Sequence, residues 1–573
     1  MKIALAQQNY HIGNFELNTK KILDGIDRAL TAGAELVVFS ELCVCGYPPR
    51  DFLEFNDFIA KCDEAIEAIK QKTGKIGVIV GCPVRNSRKE GKDLFNAGML
   101  LYKKEISGTA YKTLLPTYDV FDEYRYFEPS YTWNVIEFGG KKIALTVCED
   151  LWNLSDNPLY RSTPMEQLIR QKPDLMINIS ASPFDYDHDD DRKEVLRANV
   201  QRYKLPLIYC NTVGSQTEIV FDGGSLVFDA KGNIMHEMKY FEEDFVMIDT
   251  NISSAEVVQN SKITLEDLQH LDKEMRVAKV KDPEKIIDYL TDENNIKQIY
   301  KALVLGIKDY FGKMGFSKAI IGSSGGVDSA VTLALACKAL GNENVRAILM
   351  PSQYSSGHSV SDAEQLSKNL QNPYDIIAIK DIYDSFLKEL SPLFKDMPFG
   401  VAEENIQSRT RGNLLMAIAN KFGYILLNTS NKSELATGYG TLYGDMAGGL
   451  GVLGDVYKMQ VFALAKYINR DKEIIPQHII VKPPSAELRP NQKDTDSLPD
   501  YAILDKILFQ YIEKRQGPKE LIAMGFDPAV VARILKLVNT NEYKRNQFCP
   551  IIRVSSKAFG VGRRMPIVGK YLS

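Results

Sequence analysis

The chain has 573 residues, of which 45% are hydrophobic and 25% are charged, and its formal net charge is −4. This length exceeds what one hydrophobic core can fill and predicts two to four domains, while the balanced charge and the lack of a dense Lys/Arg block argue against a nucleic-acid partner. Eight scattered cysteines without a CxxC pair favour a reducing cytosol over a disulfide scaffold, and six dispersed histidines without zinc-ligand spacing argue against a structural metal.

The first element is a predicted strand rather than a targeting segment. The apolar run at Met1–Ala6 gives way at once to Gln7 and Gln8, so it is too short for a signal peptide. No apolar run reaches the ~18 residues that span a bilayer. We therefore expect no membrane partner and a cytoplasmic protein.

The first domain is predicted over residues 1–255, where β-rich runs alternate with helical patterns. Strands are predicted at Lys2–Gln7, Leu36–Phe39, Ile76–Gly81, Ala97–Tyr102, Lys142–Val147, Leu175–Ile179, Leu207–Cys210 and Gly224–Phe228. Helices are predicted at Asn14–Ala32, Asp57–Gln71, Pro164–Gln171 and Asp191–Tyr203. Strands separated by helices and by hairpin-like turns indicate a layered α/β sandwich.

A charged, helix-prone connector is predicted at residues 256–285, and a second domain at 286–573. The second domain is predicted to contain a helix at Asp288–Lys313, a strand at Lys318–Ile321, a helix from Asp328, and strands near Arg346–Pro351 and Tyr424–Asn428. That order predicts a doubly wound parallel sheet with its ligand at the carboxyl ends of the strands. Pro483–Ser497 and Asn541–Arg564 are rich in Lys, Arg, Pro and Gly, and are predicted to be loops.

Three polar residues of the first domain lie at or near the ends of predicted strands. Cys148 closes the run 143–147, Glu41 follows the run 36–39, and Lys112 follows a further strand and loop. A single cysteine is more often a buried structural thiol than a nucleophile. A nucleophilic role needs an adjacent base or cation, because a free thiol with a pKa of ~8.5 is mostly protonated at neutral pH.

The segments around these residues, SELCVCGYPP, YKTLLPTYDVFDEYRYF and VCEDLW, together resemble the nitrilase (carbon–nitrogen hydrolase) superfamily. This resemblance implies an α/β/β/α sandwich and a Glu41–Lys112–Cys148 triad. Glu41 would take the thiol proton and later activate water. Lys112 would hold the thiolate and help to stabilise the oxyanion of the tetrahedral intermediate.

The Cys-Glu-Asp-x-Trp form is similar to the glutaminase domain of NAD synthetases, which implies that Tyr118 and Ser182 help to bind glutamine. That family usually has a Lys or Arg six residues after the serine. Here the position is His188, within an acidic run. A neutral histidine pairs weakly with the α-carboxylate of the substrate, so the resemblance is weakest at this contact.

A Gly/Ser-rich loop, reading GSSGGVDS at Gly322–Ser329, lies between the apolar run 319–321 and a helical pattern. Glycines allow the backbone to approach an anion closely, and the N-terminus of a helix presents unpaired N–H groups. The loop has neither the lysine of a Walker loop nor GxGxxG spacing. An ordinary βα turn is the alternative, and Asp328 alone could be a helix N-cap.

The loop resembles the SGGxDS loop of N-type ATP pyrophosphatases, which implies a fold like that of the adenine nucleotide alpha hydrolases. The ATP-binding residues implied in the loop are Gly322, Ser323, Ser324, Gly325, Gly326, Val327, Asp328 and Ser329. Further segments resemble the NAD synthetase domain, notably MPSQYSSGHSVSDA, ENIQSRTRGNLLMAIAN and NTSNKSELATGYGTLYGDMAGGLGVLGDVYKMQV.

By the same resemblance Thr429 and Lys458 would contact ATP, and Asp328 with Glu434 would bind Mg²⁺, which prefers carboxylate and phosphate oxygens. The residues implied to contact deamido-NAD or its neighbouring ATP are Asn405, Arg409, Glu434, Asp445 and Lys544. For Arg409 and Lys544 the alternative is a solvated surface charge. The glycines of 438–454 imply a mobile lid whose backbone lies close to its neighbours, and an ordinary flexible loop is the alternative.

Together the resemblances imply a glutamine-dependent NAD synthetase that uses glutamine, ATP and deamido-NAD and assembles as a homo-oligomer. Two alternatives stay open. The first domain could be a degenerate nitrilase fold that only mediates assembly. The second domain could adenylate a different acceptor, although the weak net charge disfavours a tRNA.

Overall fold

The structure is a computed structural model that describes residues 1–88, 90–154, 159–186, 188–250, 282–395, 397–490, 492, 494–496 and 498–572, with only the backbone at 188–190 and 495. The chain forms two compact units, Met1–Val277 and Ala278–Ser573. Most of the predicted connector, residues 256–281, lies outside the described residues. Within the described ranges no helix is both long enough and apolar enough to cross a bilayer.

The first unit contains two six-stranded sheets and a small hairpin. In chain order the strands are β1 (Lys2–Gln7), β2 (Leu36–Val38), β3 (Gly77–Arg85), β4 (Leu94–Tyr102), β5 (Glu105–Tyr111), β6 (Ile136–Phe138), β7 (Lys141–Val147), β8 (Leu175–Ser180), β9 (Leu207–Asn211), β10 (Val213–Gln216), β11 (Ile219–Asp222), β12 (Leu226–Phe228), β13 (Ile234–Glu237) and β14 (Asp244–Asp249). The sheet orders are β14-β1-β2-β3-β4-β5 and β13-β12-β9-β8-β7-β6, and β10 pairs with β11.

The alternation along β1 shows how the layers form. Ile3 and Leu5 pack between the two sheets against residues of β7 such as Ile143. Ala4 and Ala6 point the other way, because successive strand residues face opposite sides. There they meet the helices α1 (Phe15–Thr31) and α2 (Asn56–Lys72), while α3 (Pro164–Leu168) and α4 (His188–Tyr203) cover the second sheet. The predicted α/β/β/α sandwich is confirmed.

The second unit contains a five-stranded sheet with the order β17-β16-β15-β18-β19. Its strands are β15 (Ala319–Gly322), β16 (Val345–Leu349), β17 (Tyr374–Ile376), β18 (Ile425–Asn428) and β19 (Leu450–Gly451), and all neighbours are parallel. The chain winds outward from β15 first in one direction and then, from β18, in the other. This confirms the doubly wound sheet and places a switch point between β15 and β18, where such folds bind ligands.

Helices surround this sheet. They are α5 (Ile286–Leu290), α6 (Glu293–Met314), α7 (Val327–Leu340), α8 (Gly357–Leu370), α9 (Lys380–Phe394), α10 (Val401–Phe422), α11 (Lys432–Thr437), α12 (Lys458–Ile468), α13 (Gln477–Val481), α14 (Tyr501–Leu508), α15 (Pro518–Ala523), α16 (Pro528–Thr540) and α17 (Glu542–Arg545). A π-helical turn at Phe509–Glu513 continues α14.

Two predicted elements need correction. The single helix predicted at 288–313 is two helices, because the side chain of Asp292 accepts hydrogen bonds from the N–H groups of Asn294 and Asn295 and starts a new helix there. The loop predicted at 541–564 contains α17, which is stabilised by an ion pair of 2.7 Å between Arg545 and Glu542, one turn apart.

Candidate active sites

Cys148 stands at the end of β7 in an unusual backbone conformation. Its φ of 43° lies in the left-handed region, which non-glycine residues rarely adopt. The residue opens a short 3₁₀ turn, Cys148–Leu151, and its carbonyl accepts a hydrogen bond of 3.3 Å from Asn178 Nδ2. Backbone strain of this kind is concentrated at functional sites, which is consistent with the nucleophile predicted at this position.

Glu41 and Lys112 form a buried ion pair, with 2.8 Å between Lys112 Nζ and Glu41 Oε1. Glu41 lies just beyond β2, and Lys112 follows β5 directly. Asn96 Nδ2 donates to the same Glu41 oxygen at 2.7 Å, and the N–H of Ala181 donates to the other oxygen at 2.9 Å. The carboxylate is therefore fixed in one orientation, as a catalytic base requires.

Glu123 is a fourth buried polar group that the sequence analysis missed. Its Oε1 lies 2.8 Å from Lys112 Nζ and accepts a hydrogen bond of 2.8 Å from Tyr47. Burial raises the pKa of this carboxyl to about 7, against the lowering effect of Lys112, and Glu41 adds to the rise. Glu123 lies eleven residues after Lys112, within the segment YKTLLPTYDVFDEYRYF, but no local pattern pairs it with Lys112.

The charges around Cys148 set the protonation state of its thiol. Burial raises the pKa of the thiol, the Glu41 carboxylate raises it further, and the Lys112 ammonium lowers it. The thiol is consequently protonated at neutral pH when no substrate is bound. A nucleophilic attack by Cys148 would then require transfer of the thiol proton to a base during the reaction.

Asp150 ties the Cys148 turn to the segment that carries Lys112. Its Oδ1 accepts hydrogen bonds of 2.9 Å from the N–H groups of both Thr113 and Leu114, and its Oδ2 accepts one of 3.1 Å from the N–H of Val147. Despite these bonds, burial raises the pKa of Asp150 to about 6. The Asp150 carboxylate thus fixes the backbone beside Cys148 relative to the backbone beside Lys112.

Of the predicted glutamine-binding residues, Tyr118 contacts the same turn. Tyr118 donates its hydroxyl to Glu149 at 2.8 Å, and Tyr160, which the sequence analysis missed, donates to the same carboxylate at 3.1 Å. The N–H of Ser182 donates to the side-chain oxygen of Asn211 at 2.9 Å. The side chain of His188 lies outside the described residues.

The second unit has a cavity of about 860 Å³ at the carboxyl ends of its strands. The predicted ATP, deamido-NAD and Mg²⁺ residues that line it are Gly322, Ser323, Ser324, Gly326, Val327, Asp328, Ser329, Asn405, Arg409, Thr429, Glu434, Asp445, Lys458 and Lys544. Gly325 is the predicted residue that does not line it. Its φ is +75°, and a Cβ there would lie 2.2 Å from the carbonyl oxygen of Ser359, so only glycine fits.

The Gly/Ser-rich loop ends at the N-terminus of α7, whose N-cap is Gly326. Ser329 Oγ donates to the carbonyl of Gly326 at 3.0 Å, and Ser324 Oγ accepts from the N–H of Gly326 at 3.2 Å. The loop is therefore folded into a cradle in front of the helix dipole, an arrangement suited to phosphate.

Asp328 and Glu434 meet at the ammonium group of Lys458. Lys458 Nζ lies 2.5 Å from Asp328 Oδ2 and 3.4 Å from Glu434 Oε1. Burial raises the pKa of Glu434 to about 8, and the Asp328 carboxylate adds to the rise. Two half-buried carboxylates that share a single ammonium group fit a Mg²⁺ ion whose other ligands are phosphate oxygens and water.

The other residues predicted to contact deamido-NAD also line the cavity. Lys544 Nζ donates to the carbonyls of Gly438 and Gly440, each at 2.8 Å. Arg409 Nε donates to the carbonyl of Leu442 at 3.2 Å. Burial lowers the pKa of Lys544 and raises the pKa of Asp445. Both cations thus bind the predicted lid segment in this structure.

Several glycines of that segment are explained by close packing. A Cβ at Gly448 would lie 2.8 Å from Cβ of Asn428, and one at Gly454 would lie 2.3 Å from Ile551. Cavity residues that the sequence analysis did not single out are Arg411, Lys482, Glu487 and Asp494. Arg411 lies within the segment ENIQSRTRGNLLMAIAN, whereas Lys482, Glu487 and Asp494 lie in or next to the predicted loop at Pro483–Ser497.

Comparison with known proteins agrees with this geometry. Residues 2–260 match the carbon-nitrogen hydrolase family, and residues 299–548 match the NAD synthase family. The glutamine-dependent NAD(+) synthetase of Synechocystis sp. is 44% identical over 99% of this chain and 98% of its own length, and that of Thermotoga maritima is 39% identical over 100% and 99%. The solved structure of the Acinetobacter baumannii glutamine-dependent NAD+ synthetase with ADP is 35% identical, covers 99% of this chain and 98% of its own, and has a TM-score of 0.73.

The fold and the two matched families define a two-domain enzyme with a carbon–nitrogen hydrolase unit followed by an NAD synthase unit. The similarity to the two synthetases extends over the full length of both chains and so identifies the family of the whole protein. The chain belongs to the family of glutamine-dependent NAD(+) synthetases.

Proposed function

We propose that the protein amidates deamido-NAD to NAD with ATP, and that the nitrogen comes from glutamine hydrolysed in its first unit. The observation that carries this proposal is the coexistence, in one chain, of two clusters of the residues predicted for these reactions. The buried Glu41–Lys112 pair beside Cys148 supplies the first, and the lined cavity at the Gly/Ser-rich loop supplies the second.

In the first unit, Cys148 Sγ attacks the side-chain amide carbon of glutamine while Glu41 accepts the thiol proton. Lys112 stabilises the oxyanion that forms. Glu41 then returns the proton to the leaving nitrogen, and ammonia departs from a γ-glutamyl thioester. Water activated by Glu41 hydrolyses the thioester to glutamate and restores the thiol. Tyr118, Ser182 and His188 would bind the glutamine.

In the second unit, the nicotinate carboxylate attacks the α-phosphate of ATP, forming an adenylate and releasing pyrophosphate. Ammonia then displaces AMP and leaves the amide. Activation is needed because an oxide is too poor a leaving group for direct attack on a carboxylate. The loop at Gly322–Ser329, Thr429 and Lys458 would bind ATP. The residues that would bind deamido-NAD are Asn405, Arg409, Glu434, Asp445 and Lys544.

Asp328 and Glu434 are the residues that would hold Mg²⁺. When bound, the ion would neutralise charge on the departing pyrophosphate. Until then, Lys458 supplies the positive charge that holds the two carboxylates together.

We further propose a cytoplasmic homo-oligomer. All eight cysteines are free thiols, which suits a reducing compartment. The homo-oligomer rests on the resemblance of the first unit to nitrilase-type domains, through which such chains assemble. Size determination by light scattering on the purified chain would test it, and a monomer at all concentrations would contradict it.

The activity is tested by comparing glutamine with ammonium as nitrogen donor, with ATP, Mg²⁺ and deamido-NAD present. Cys148→Ala should abolish glutamine-driven synthesis and leave ammonium-driven synthesis intact. Absence of glutamine-driven synthesis in the unaltered protein would instead favour a degenerate first unit, and its persistence in Cys148→Ala would show that Cys148 is not the nucleophile. Thermal stabilisation by deamido-NAD, but not by xanthosine monophosphate or aspartate, would identify the acceptor.

A further inference from the structure

Two of the six histidines of the chain meet on the surface of the second unit, although they are far apart in sequence. His358 lies in the first turn of α8, and His478 lies on α13. Their ring centroids are 5.5 Å apart, and their planes are inclined by 64°. Both residues are exposed, so a solute can reach the space between the rings.

A carboxylate fixes one of the two rings. His478 Nδ1 lies 2.6 Å from Oδ2 of Asp362, one helical turn beyond His358 on α8. A carboxylate only accepts hydrogen bonds, so the neutral imidazole carries its proton on Nδ1 and keeps the lone pair on Nε2. A histidine held in this way by a carboxylate is the usual form of a metal-binding imidazole.

We propose that His358 and His478 form a surface site for a divalent cation of the zinc class, with Asp362 orienting His478. Neutral imidazole suits Zn²⁺, Ni²⁺ and Cu²⁺, whereas Mg²⁺ prefers oxygen ligands, so this site is chemically distinct from the Asp328–Glu434 pair. With metal–nitrogen bonds of about 2.1 Å, one ion can bridge two rings at this separation.

The site is open rather than closed by protein ligands. Among the described residues no group of three or more His, Cys, Asp or Glu side chains is arranged to hold a metal ion. Water would therefore complete the coordination of the two imidazoles, which makes this site more open than zinc sites with three protein ligands. The ligands come from separate helices, which explains why sequence spacing did not reveal them.

The two histidines lie beside the ATP loop and the cavity, so a metal ion bound there would affect the structure around the cavity. Ser359 follows His358, and its carbonyl oxygen packs against Gly325 of the ATP loop. Ile479, which follows His478, lines the same cavity, and Lys482 Nζ joins the two segments through a hydrogen bond of 3.0 Å to Ser359 Oγ. A bridging ion adds a second link between α8 and α13 beside the cavity.

The test is titration of the untagged, full-length protein with Zn²⁺ by calorimetry, in a Cys148→Ala background so that the catalytic thiol cannot compete. We expect one saturable site per chain and a rise in the melting temperature. His358→Gln and His478→Gln should each weaken binding at least tenfold. Asp362→Asn should weaken it about tenfold through loss of ring orientation.

His236→Gln, a substitution of the same kind on β13, is the matched control and should leave the affinity unchanged. Melting curves without Zn²⁺ establish that each variant is folded. A Zn²⁺ affinity in the His358→Gln and His478→Gln variants equal to that of the protein with both histidines would overturn the proposal. The absence of saturable binding at millimolar Zn²⁺ would also overturn it.

Discussion

Asp150 offers a sharp test of how the glutaminase site is held together. Its carboxylate accepts hydrogen bonds from three backbone N–H groups, two beside Lys112 and one beside Cys148. Asp150→Ala leaves these buried donors without a partner, at a cost of roughly 1 to 3 kcal/mol for each. The two segments should then separate, and a misplacement of about 1 Å costs on the order of a hundredfold in rate.

We therefore expect Asp150→Ala to lower kcat for glutamine-driven NAD synthesis about a hundredfold, with ammonium-driven synthesis unchanged. Asp150→Asn keeps one oxygen for Thr113 and Leu114 but turns an N–H towards Val147, so its loss should be intermediate. Both rates are measured in the same coupled assay for NAD.

Asp174→Ala is the matched control, because Asp174 Oδ2 also accepts a backbone N–H of β7, from Lys142 at 2.7 Å, but at the opposite, exposed end. It should leave both rates unchanged. A wild-type glutamine-driven rate in Asp150→Ala would refute the positioning role, and an equal loss with both nitrogen donors would refute its restriction to the first unit.

Three further predictions concern single residues. Lys458→Met should abolish NAD synthesis with either nitrogen donor while glutamate release from glutamine persists. Concurrent loss of glutamate release would contradict the assignment of glutamine hydrolysis to the first unit and NAD synthesis to the second. Because the Glu123 pKa rises from 4.5 to about 7, proton binding stabilises the folded unit by roughly 3 kcal/mol below pH 4.5, and this contribution is lost as pH rises from 4.5 through about 7. Glu123→Gln should flatten this dependence in melting curves, whereas an equal slope in both proteins would contradict it. His188→Lys should lower the KM for glutamine with kcat unchanged, because a lysine pairs with the α-carboxylate at all relevant pH values, and an unchanged KM would place that contact elsewhere.

The sequence predicted elements well where hydrophobic patterning was strong. The buried strand β7 and the helix α1 were found within one residue of their bounds. Strand β5, at Glu105–Tyr111, was missed because its side chains are exposed or half-buried and show no apolar alternation. Its pairing with β4 is set by the hairpin rather than by its own composition.

Site residues were likewise predicted where a local pattern marked them and missed where distant contacts define them. Strand ends and motifs marked Glu41, Lys112 and Cys148, but nothing local indicated that Glu123 would share Lys112 with Glu41. The residue type of Cys148 likewise does not predict its left-handed φ. Such features arise when distant segments converge, so only the folded structure shows them.

The central claim is that nitrogen released from glutamine by Cys148 becomes the amide of NAD. Glutamine labelled with ¹⁵N in its side-chain amide, supplied to the purified enzyme with ATP, Mg²⁺ and deamido-NAD, tests it by mass spectrometry of the product. The account predicts labelled NAD from the unaltered protein and none from Cys148→Ala. Unlabelled NAD formed while glutamine is being hydrolysed would contradict it.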